Sequence, residues 1–198
     1  YSTDYVFDGQ SRRPYREDDS PRPLGVYGET KLAGEWAIAA SGCSHLVLRS
    51  AWIYASHGAN FVLKMLGLAR QGRELSVVGD QVGSPTWAAN LARYTVAALH
   101  AGLPARAGEG QGLYHCADRA AVSWYELARA VFEIAVEQGL LDHMPVLRET
   151  DSAGFPQRAR RPARSVLDCS AFEAAAGMEM ADLRASLAAC LGQLENIA

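Results

Sequence analysis

Tyr27 and Lys31 lie four residues apart in Val26-Tyr27-Gly28-Glu29-Thr30-Lys31, so on a helix they share one face. A phenol, with a reference pKa near 10, is a poor proton donor at neutral pH. A neighbouring ammonium favours the phenolate, and a helix N-terminus acts in the same direction. Such a pair makes tyrosine a general acid that can work near pH 7. Taken alone, Tyr-x-x-x-Lys is a weak signal that a surface tyrosine beside a solvated lysine would equally produce. Thr3 strengthens it. It precedes Tyr27 by 24 residues, at the end of a short strand pattern. A hydroxyl there can hydrogen-bond the same carbonyl oxygen that the phenol protonates. Strand-end hydroxyl, loop, then Tyr-x-x-x-Lys at a helix start is the order expected of a ketone-reducing site.

The elements that must hold these groups follow from the pattern. Residues 10–24 are polar and proline-rich and read as a surface loop. A helix is expected from Val26 to about Ala40, closed near Gly42. His45 to Tyr54 is a short apolar run that reads as one buried parallel strand. Asn60 can cap a helix carrying Phe61, Met65 and Leu66. Leu75–Val78 reads as a strand, Gly79–Pro85 as a loop and Trp87–His100 as a helix. Gly112–Ala117 reads as a strand, and Ser123-Trp124-Tyr125-Glu126 as a capping box opening a helix to about Gln138. A strand at Val146 and Leu147, a helix capped by Asp168 and a last helix from Met180 to Leu194 complete the pattern. Strands alternating with helices define an α/β class with a mainly parallel sheet.

Composition narrows the function. Of 198 residues, 49% are apolar and 21% charged, which supports a packed core and excludes disorder. The net charge of −3 gives no reason to expect a nucleic acid partner. No apolar run approaches the ~20 residues of a membrane span, and no signal peptide is read in the first residues. Cys43, Cys116, Cys169 and Cys190 are scattered, with no metal or redox spacing, and are expected to be buried thiols in a reducing cytosol. No carboxylate cluster calls for a metal. Gly108-Glu109-Gly110-Gln111-Gly112 leads into a strand instead of opening a helix, so it reads as a surface loop.

Ser2-Thr3-Asp4-Tyr5-Val6-Phe7-Asp8-Gly9 together with Pro23-Leu24-Gly25-Val26-Tyr27-Gly28-Glu29-Thr30-Lys31 resembles the extended short-chain dehydrogenase/reductases. Leu48-Arg49-Ser50-Ala51-Trp52-Ile53-Tyr54, Asn60-Phe61, residues 78–86 and residues 161–168 resemble, more narrowly, the dTDP-4-dehydrorhamnose reductase family. The resemblance runs over essentially the whole chain. It implies that Tyr27 donates a proton to a keto oxygen. Lys31 lowers the pKa of Tyr27 and holds the nicotinamide ribose, with Ser2 beside the cofactor, and Thr3 polarises the carbonyl. The implied cofactor is NADPH or NADH, and the implied reaction is reduction at C4 of dTDP-4-dehydro-β-L-rhamnose to dTDP-L-rhamnose. Asp4, Tyr5, Trp52, Asn60, Gln81 and Arg161 are the expected substrate contacts. Ser84, Thr86 and Arg164 are further candidates on loops, although turn and capping roles also suit such residues. A homodimer is compatible with the resemblance, and a cytoplasmic place is expected.

The glycine-rich dinucleotide-binding turn of that family has no counterpart in these residues. The sequence therefore reads as the C-terminal two-thirds of an incomplete Rossmann-like parallel sheet, with a small C-terminal α/β substrate-binding region. Residues 1–60 are expected to complete the dinucleotide-binding domain. Residues 61–198 are expected to bind substrate, with segments around 75–120 returning to the sheet. Taken by itself the chain is expected to bind dinucleotide poorly. Two other readings stay open: reduction of another 4-keto-6-deoxy nucleotide sugar, and a regulatory subunit of methionine adenosyltransferase, against which Thr3, Tyr27 and Lys31 argue.

Overall fold

The computed structural model describes residues 1–103, 112–154 and 159–194. Apart from Gly112, the glycine-rich stretch 108–112 expected as a surface loop lies outside them. Strand β1 (Ser2–Thr3) runs straight into a 3-10 helix at Asp4–Val6, and after a long loop α1 spans Val26–Ala40. Then come β2 (Val47–Ser50), β3 (Ile53–Tyr54), α2 (Phe61–Arg70), β4 (Leu75–Val78), β5 (Val82–Gly83), β6 (Thr86–Trp87) and α3 (Ala88–His100). The chain continues through β7 (Leu113–His115), β8 (Val122–Ser123), α4 (Trp124–Glu137), β9 (Leu147–Thr150), α5 (Ser170–Ala176) and α6 (Leu183–Gly192).

Three parallel strands in the order β1-β2-β7 form the sheet beneath α1, with Ser2 opposite Arg49 and Thr3 opposite Ser50. Residues 113–115 thus return to the first sheet. Residues 75–78 pair instead with β9 in a separate parallel pair. Pairs β3-β6 (parallel) and β5-β8 (antiparallel) join the regions between.

Residues 45–54 do not form one strand. The backbone turns left-handed at Trp52 (φ 47°), so β2 stays in the first sheet while β3 leaves to pair with β6. The last helix is also shorter than its apolar pattern implies, because Asp182 accepts a hydrogen bond from the Ala185 N–H and starts it there. Cys169, not Asp168, occupies the cap position of α5, although the Asp168 carboxylate accepts from the Ser170 N–H. Cys43 is exposed, because it follows the turn at Gly42 (φ 73°) that ends α1.

The largest core lies between α2, α4, α6 and β4, around Val62, Leu66, Leu127, Val131, Phe132, Leu187 and Leu191. Amphipathic α4 supplies much of it, and its first turn is fixed by the capping box. There the Ser123 hydroxyl accepts from the Glu126 N–H, and the Glu126 carboxylate accepts from the Ser123 N–H. A second cluster (Val6, Phe7, Tyr15, Leu32, Ala51) packs α1 onto the first sheet. Among the described residues, no helix is long and apolar enough to cross a membrane. Ser123→Ala leaves the Glu126 amide without its acceptor, so chemical denaturation should show a loss of about 1 kcal/mol. No loss would mean that packing alone places this helix.

Candidate active site

Thr3 sits buried at the C-terminal end of β1, the edge of a parallel sheet where ligands of open α/β folds bind. Its hydroxyl caps the 3-10 helix, accepting from the Tyr5 N–H at 3.2 Å and donating to Asp4 Oδ1 at 3.1 Å. Asp4 turns inward and also accepts from the Ser165 hydroxyl at 2.5 Å. Burial pushes its pKa up to about 7, against the pull of these two donors.

Helix α1 begins beside this turn, with Tyr27 in its first turn. The approach is close: a Cβ on Gly28 would lie 2.2 Å from the Tyr5 carbonyl oxygen. Only glycine lets the helix seat there. The Tyr27 ring meets the Tyr5 ring edge-on, with centroids 5.9 Å apart, and Tyr27 stays 58% exposed. One turn on, the Lys31 ammonium donates to the Tyr1 carbonyl at 2.5 Å. Another turn on, the buried Glu35 carboxylate accepts from the Ser2 hydroxyl and from Arg49 of β2, with Nη2 at 2.6 Å and Nε at 2.9 Å. Tyr27, Lys31 and Glu35 therefore form one helical row laid along β1. Tyr27 meets Tyr5 just past the strand, while Lys31 reaches the backbone just before it, so the two flank the segment that carries Thr3. The Ser2 hydroxyl turns instead into the core.

Tyr5, Tyr27, Gly28, Arg161 and Pro162 line a cleft of about 160 Å³. Arg161 also borders a cavity of about 340 Å³ walled by Phe61, Lys64, Val78 and Trp124. Burial raises the Tyr5 phenol pKa, while the Arg161 cation pulls it down. Trp52 stacks on Trp124 at 3.6 Å with planes 5° apart, and Gly83 abuts the indole so closely that a Cβ would fall 2.5 Å from it. The buried Trp52 Nε1 has no hydrogen-bond partner among the described residues, and neither does Arg164 Nε.

The remaining candidates are held by the fold. Asn60 caps α2, accepting from the Leu63 N–H at 3.1 Å and donating to the Ala55 and His57 carbonyls. Gln81 donates to the Ser152 hydroxyl at 2.8 Å, Ser84 to the Ala120 carbonyl and Thr86 to the Ser84 carbonyl. Glu35, Arg49, Trp124 and Ser165 also belong to the site's surroundings, although the sequence reading gives none of them a site role. An arginine inside the apolar run 47–54 is the signal that could have found the ion pair, since a buried guanidinium needs a partner.

A parallel sheet with a strand-end threonine beside a Tyr-x-x-x-Lys helix is a Rossmann-type α/β arrangement of the short-chain dehydrogenase/reductase class. The family described as the RmlD substrate binding domain matches residues 1–196, and the chain belongs to it. It is 39% identical to the dTDP-4-dehydrorhamnose reductase of Escherichia coli (strain K12) over 194 residues, covering 98% of this chain and 64% of that protein. Among solved structures, dTDP-4-dehydrorhamnose reductase from Bacillus anthracis, in complex with NADP, matches with a TM-score of 0.85 at 29% identity, over 97% of this chain and 64% of that one. The enzyme of the same name from Clostridium acetobutylicum matches with a TM-score of 0.85 at 32% identity, over 98% of this chain and 64% of that one. The chain thus spans somewhat less than two thirds of the length of these relatives.

Two outcomes are expected. Gly28→Ala forces α1 off the Tyr5 carbonyl, and thermal unfolding should show a clearly lowered Tm; an unchanged Tm would mean the helix shifts freely. Asp4 binds a proton more tightly folded than unfolded, so its contribution lowers stability as pH rises from its ordinary 3.8 to about 7. Asp4→Asn removes that contribution, and the slope of unfolding free energy against pH between 4 and 7 should become more positive. An unaltered slope would show that Asp4 titrates normally.

Proposed function

We propose that this chain carries the proton donor and the sugar-binding part of an NADPH- or NADH-dependent reductase. The reaction is reduction of the C4 keto group of dTDP-4-dehydro-β-L-rhamnose to dTDP-L-rhamnose. The observation that carries the reading is Tyr27 and Lys31 on one face of α1, with Tyr27 against Tyr5 and Lys31 on the Tyr1 carbonyl, at the two ends of the short segment that carries Thr3. The names of the relatives support the substrate, and the NADP of the Bacillus anthracis structure supports the cofactor.

The residues present suit a nicotinamide ribose and a ketone. A largely exposed phenol stands at the end of a parallel sheet, with an ammonium held one helical turn away. Tyr27 and Lys31 would hold the cofactor, with the β1 backbone at Ser2 beside them. When bound, the reduced nicotinamide supplies a hydride to the C4 carbon. The Tyr27 hydroxyl gives its proton to the keto oxygen, so that C=O becomes CH–OH. The Lys31 ammonium favours the phenolate left behind. The Thr3 hydroxyl donates to the same oxygen after leaving Asp4, which orients and polarises it. Arg161, between the cleft and the larger cavity, suits the diphosphate, and Asp4, Tyr5 and Trp52 border the sugar. The capping bonds of Asn60 and the Ser152 contact of Gln81 leave their roles as loop anchors that shape this pocket. We place residues 1–60 with the dinucleotide-binding domain, residues 61–198 mainly with substrate, and the reaction in the cytoplasm.

The test is NADPH oxidation, followed by absorbance, by the full-length protein supplied with dTDP-4-dehydrorhamnose. Tyr27→Phe removes the proton donor and should lower turnover by about 10²-fold or more. Turnover unchanged by that substitution would defeat the assignment.

A further inference from the structure

Glu35 and Arg49 form an ion pair whose side chains are only 8% and 3% exposed. The fork is bidentate, and the guanidinium has further partners. Nε and Nη2 donate to Glu35, Nη1 lies 3.4 Å from His115 Nε2, and the cation rests 5.2 Å over the Phe7 ring. His115 is held neutral: burial and the nearby Arg49 push its pKa down to about 3. Its Nδ1–H faces the Tyr15 carbonyl at 3.0 Å, which leaves Nε2 to accept from Arg49. Phe7 in turn stacks on Tyr15 at 4.1 Å. A buried pair is poorly explained by stability, because desolvating two charges offsets most of their attraction, and apolar residues of similar volume do as well. What this pair does fix is position. Glu35 lies two turns beyond Tyr27 and one beyond Lys31, and its carboxylate also binds the side chain preceding Thr3.

We propose that Glu35 and Arg49 are positioning residues: their ion pair ties α1 to β2 and, through the Ser2 hydroxyl bound to Glu35 and the Ser2–Arg49 strand pairing, sets the register of α1 against β1, and so aims Tyr27 and Lys31 at the keto oxygen of the proposed substrate. The proposal rests on the reductase reading. Neither residue touches substrate; both act through Ser2, Lys31 and the helix that carries Tyr27. Lysine cannot substitute for Arg49, because a point charge lacks the fork that fixes the carboxylate in two directions.

The experiment measures kcat and KM of the full-length protein for wild type, Arg49→Lys, Glu35→Gln, Thr3→Val and the Arg49→Lys/Thr3→Val double variant. Leu187→Ala, a core truncation in the other cluster, serves as control for lost stability. Arg49→Lys should lower kcat about 10- to 100-fold, as sub-ångström misplacement does, with the sugar KM nearly unchanged. In the Thr3→Val background its effect should shrink, since the group being aligned is gone. Glu35→Gln keeps size and one acceptor, so it decides the matter if Arg49→Lys fails to fold. A kcat loss no greater than that of Leu187→Ala, or strictly additive effects of Arg49→Lys and Thr3→Val, would overturn the proposal. If wild type does not reduce the sugar, the reductase reading fails, and hydrogen exchange decides the positioning claim by itself. Protection lost in residues 1–6 and 26–36 alone supports it; an even loss across the chain overturns it.

Discussion

Helix α1 can serve the sheet end only because it lies unusually close to the first strand. Gly28 presses against the Tyr5 carbonyl with no room for a side chain, and Lys31 reaches the Tyr1 carbonyl. A backbone contact and a charge-assisted hydrogen bond thus hold two successive turns of the helix to a segment of five residues. Each holds the helix where the other needs it. The phenol of Tyr27 is left exposed at the rim of the small cleft. The side chains below it, Leu32 and Glu35, are buried.

The same economy governs the inner polar groups. Asp118, just past β7, accepts from the Tyr94 hydroxyl at 2.7 Å, the Trp87 N–H at 3.1 Å and the Asn90 amide, while Asn90 also donates to Ser186 of α6. Tyr94 accepts from the Ala181 N–H just before that helix. Asp118 and Asn90 together therefore tie the sheet end, α3 and the C-terminal helix to one another, and these donors all find acceptors. Trp52 supplies the opposite case. Its left-handed backbone is costly for a bulky residue, and its indole N–H lacks a partner, yet the ring is fixed between Trp124 and Gly83. Strain and an unsatisfied donor concentrated on one aromatic residue beside the cavity are features that cluster at binding sites.

Much of this was legible in the residues because it is local. Asn60 and the Ser123-Glu126 box act within three residues of themselves, so the starts of α2 and α4 could be read directly. The Tyr27–Lys31 face is likewise a property of one helix. What could not be read is set by distant partners. The strand from 45 to 54 looks continuous, since nothing in its apolar run announces that Trp52 turns left-handed and sends β3 to another pair. Glu35 and Arg49 are separated by a helix end and a turn, and only the packed structure shows that they pair. Gln81 likewise donates to Ser152, 71 residues away, a partner that no local pattern reveals.

The most direct measurement is a crystal structure of the full-length protein with NADP and the dTDP-sugar product bound. The account predicts that the Tyr27 and Thr3 hydroxyls both lie within about 3 Å of the C4 oxygen, with Thr3 released from Asp4 and Lys31 still one turn behind Tyr27. A sugar oxygen bound away from both hydroxyls, with Tyr27 still facing solvent, would contradict it.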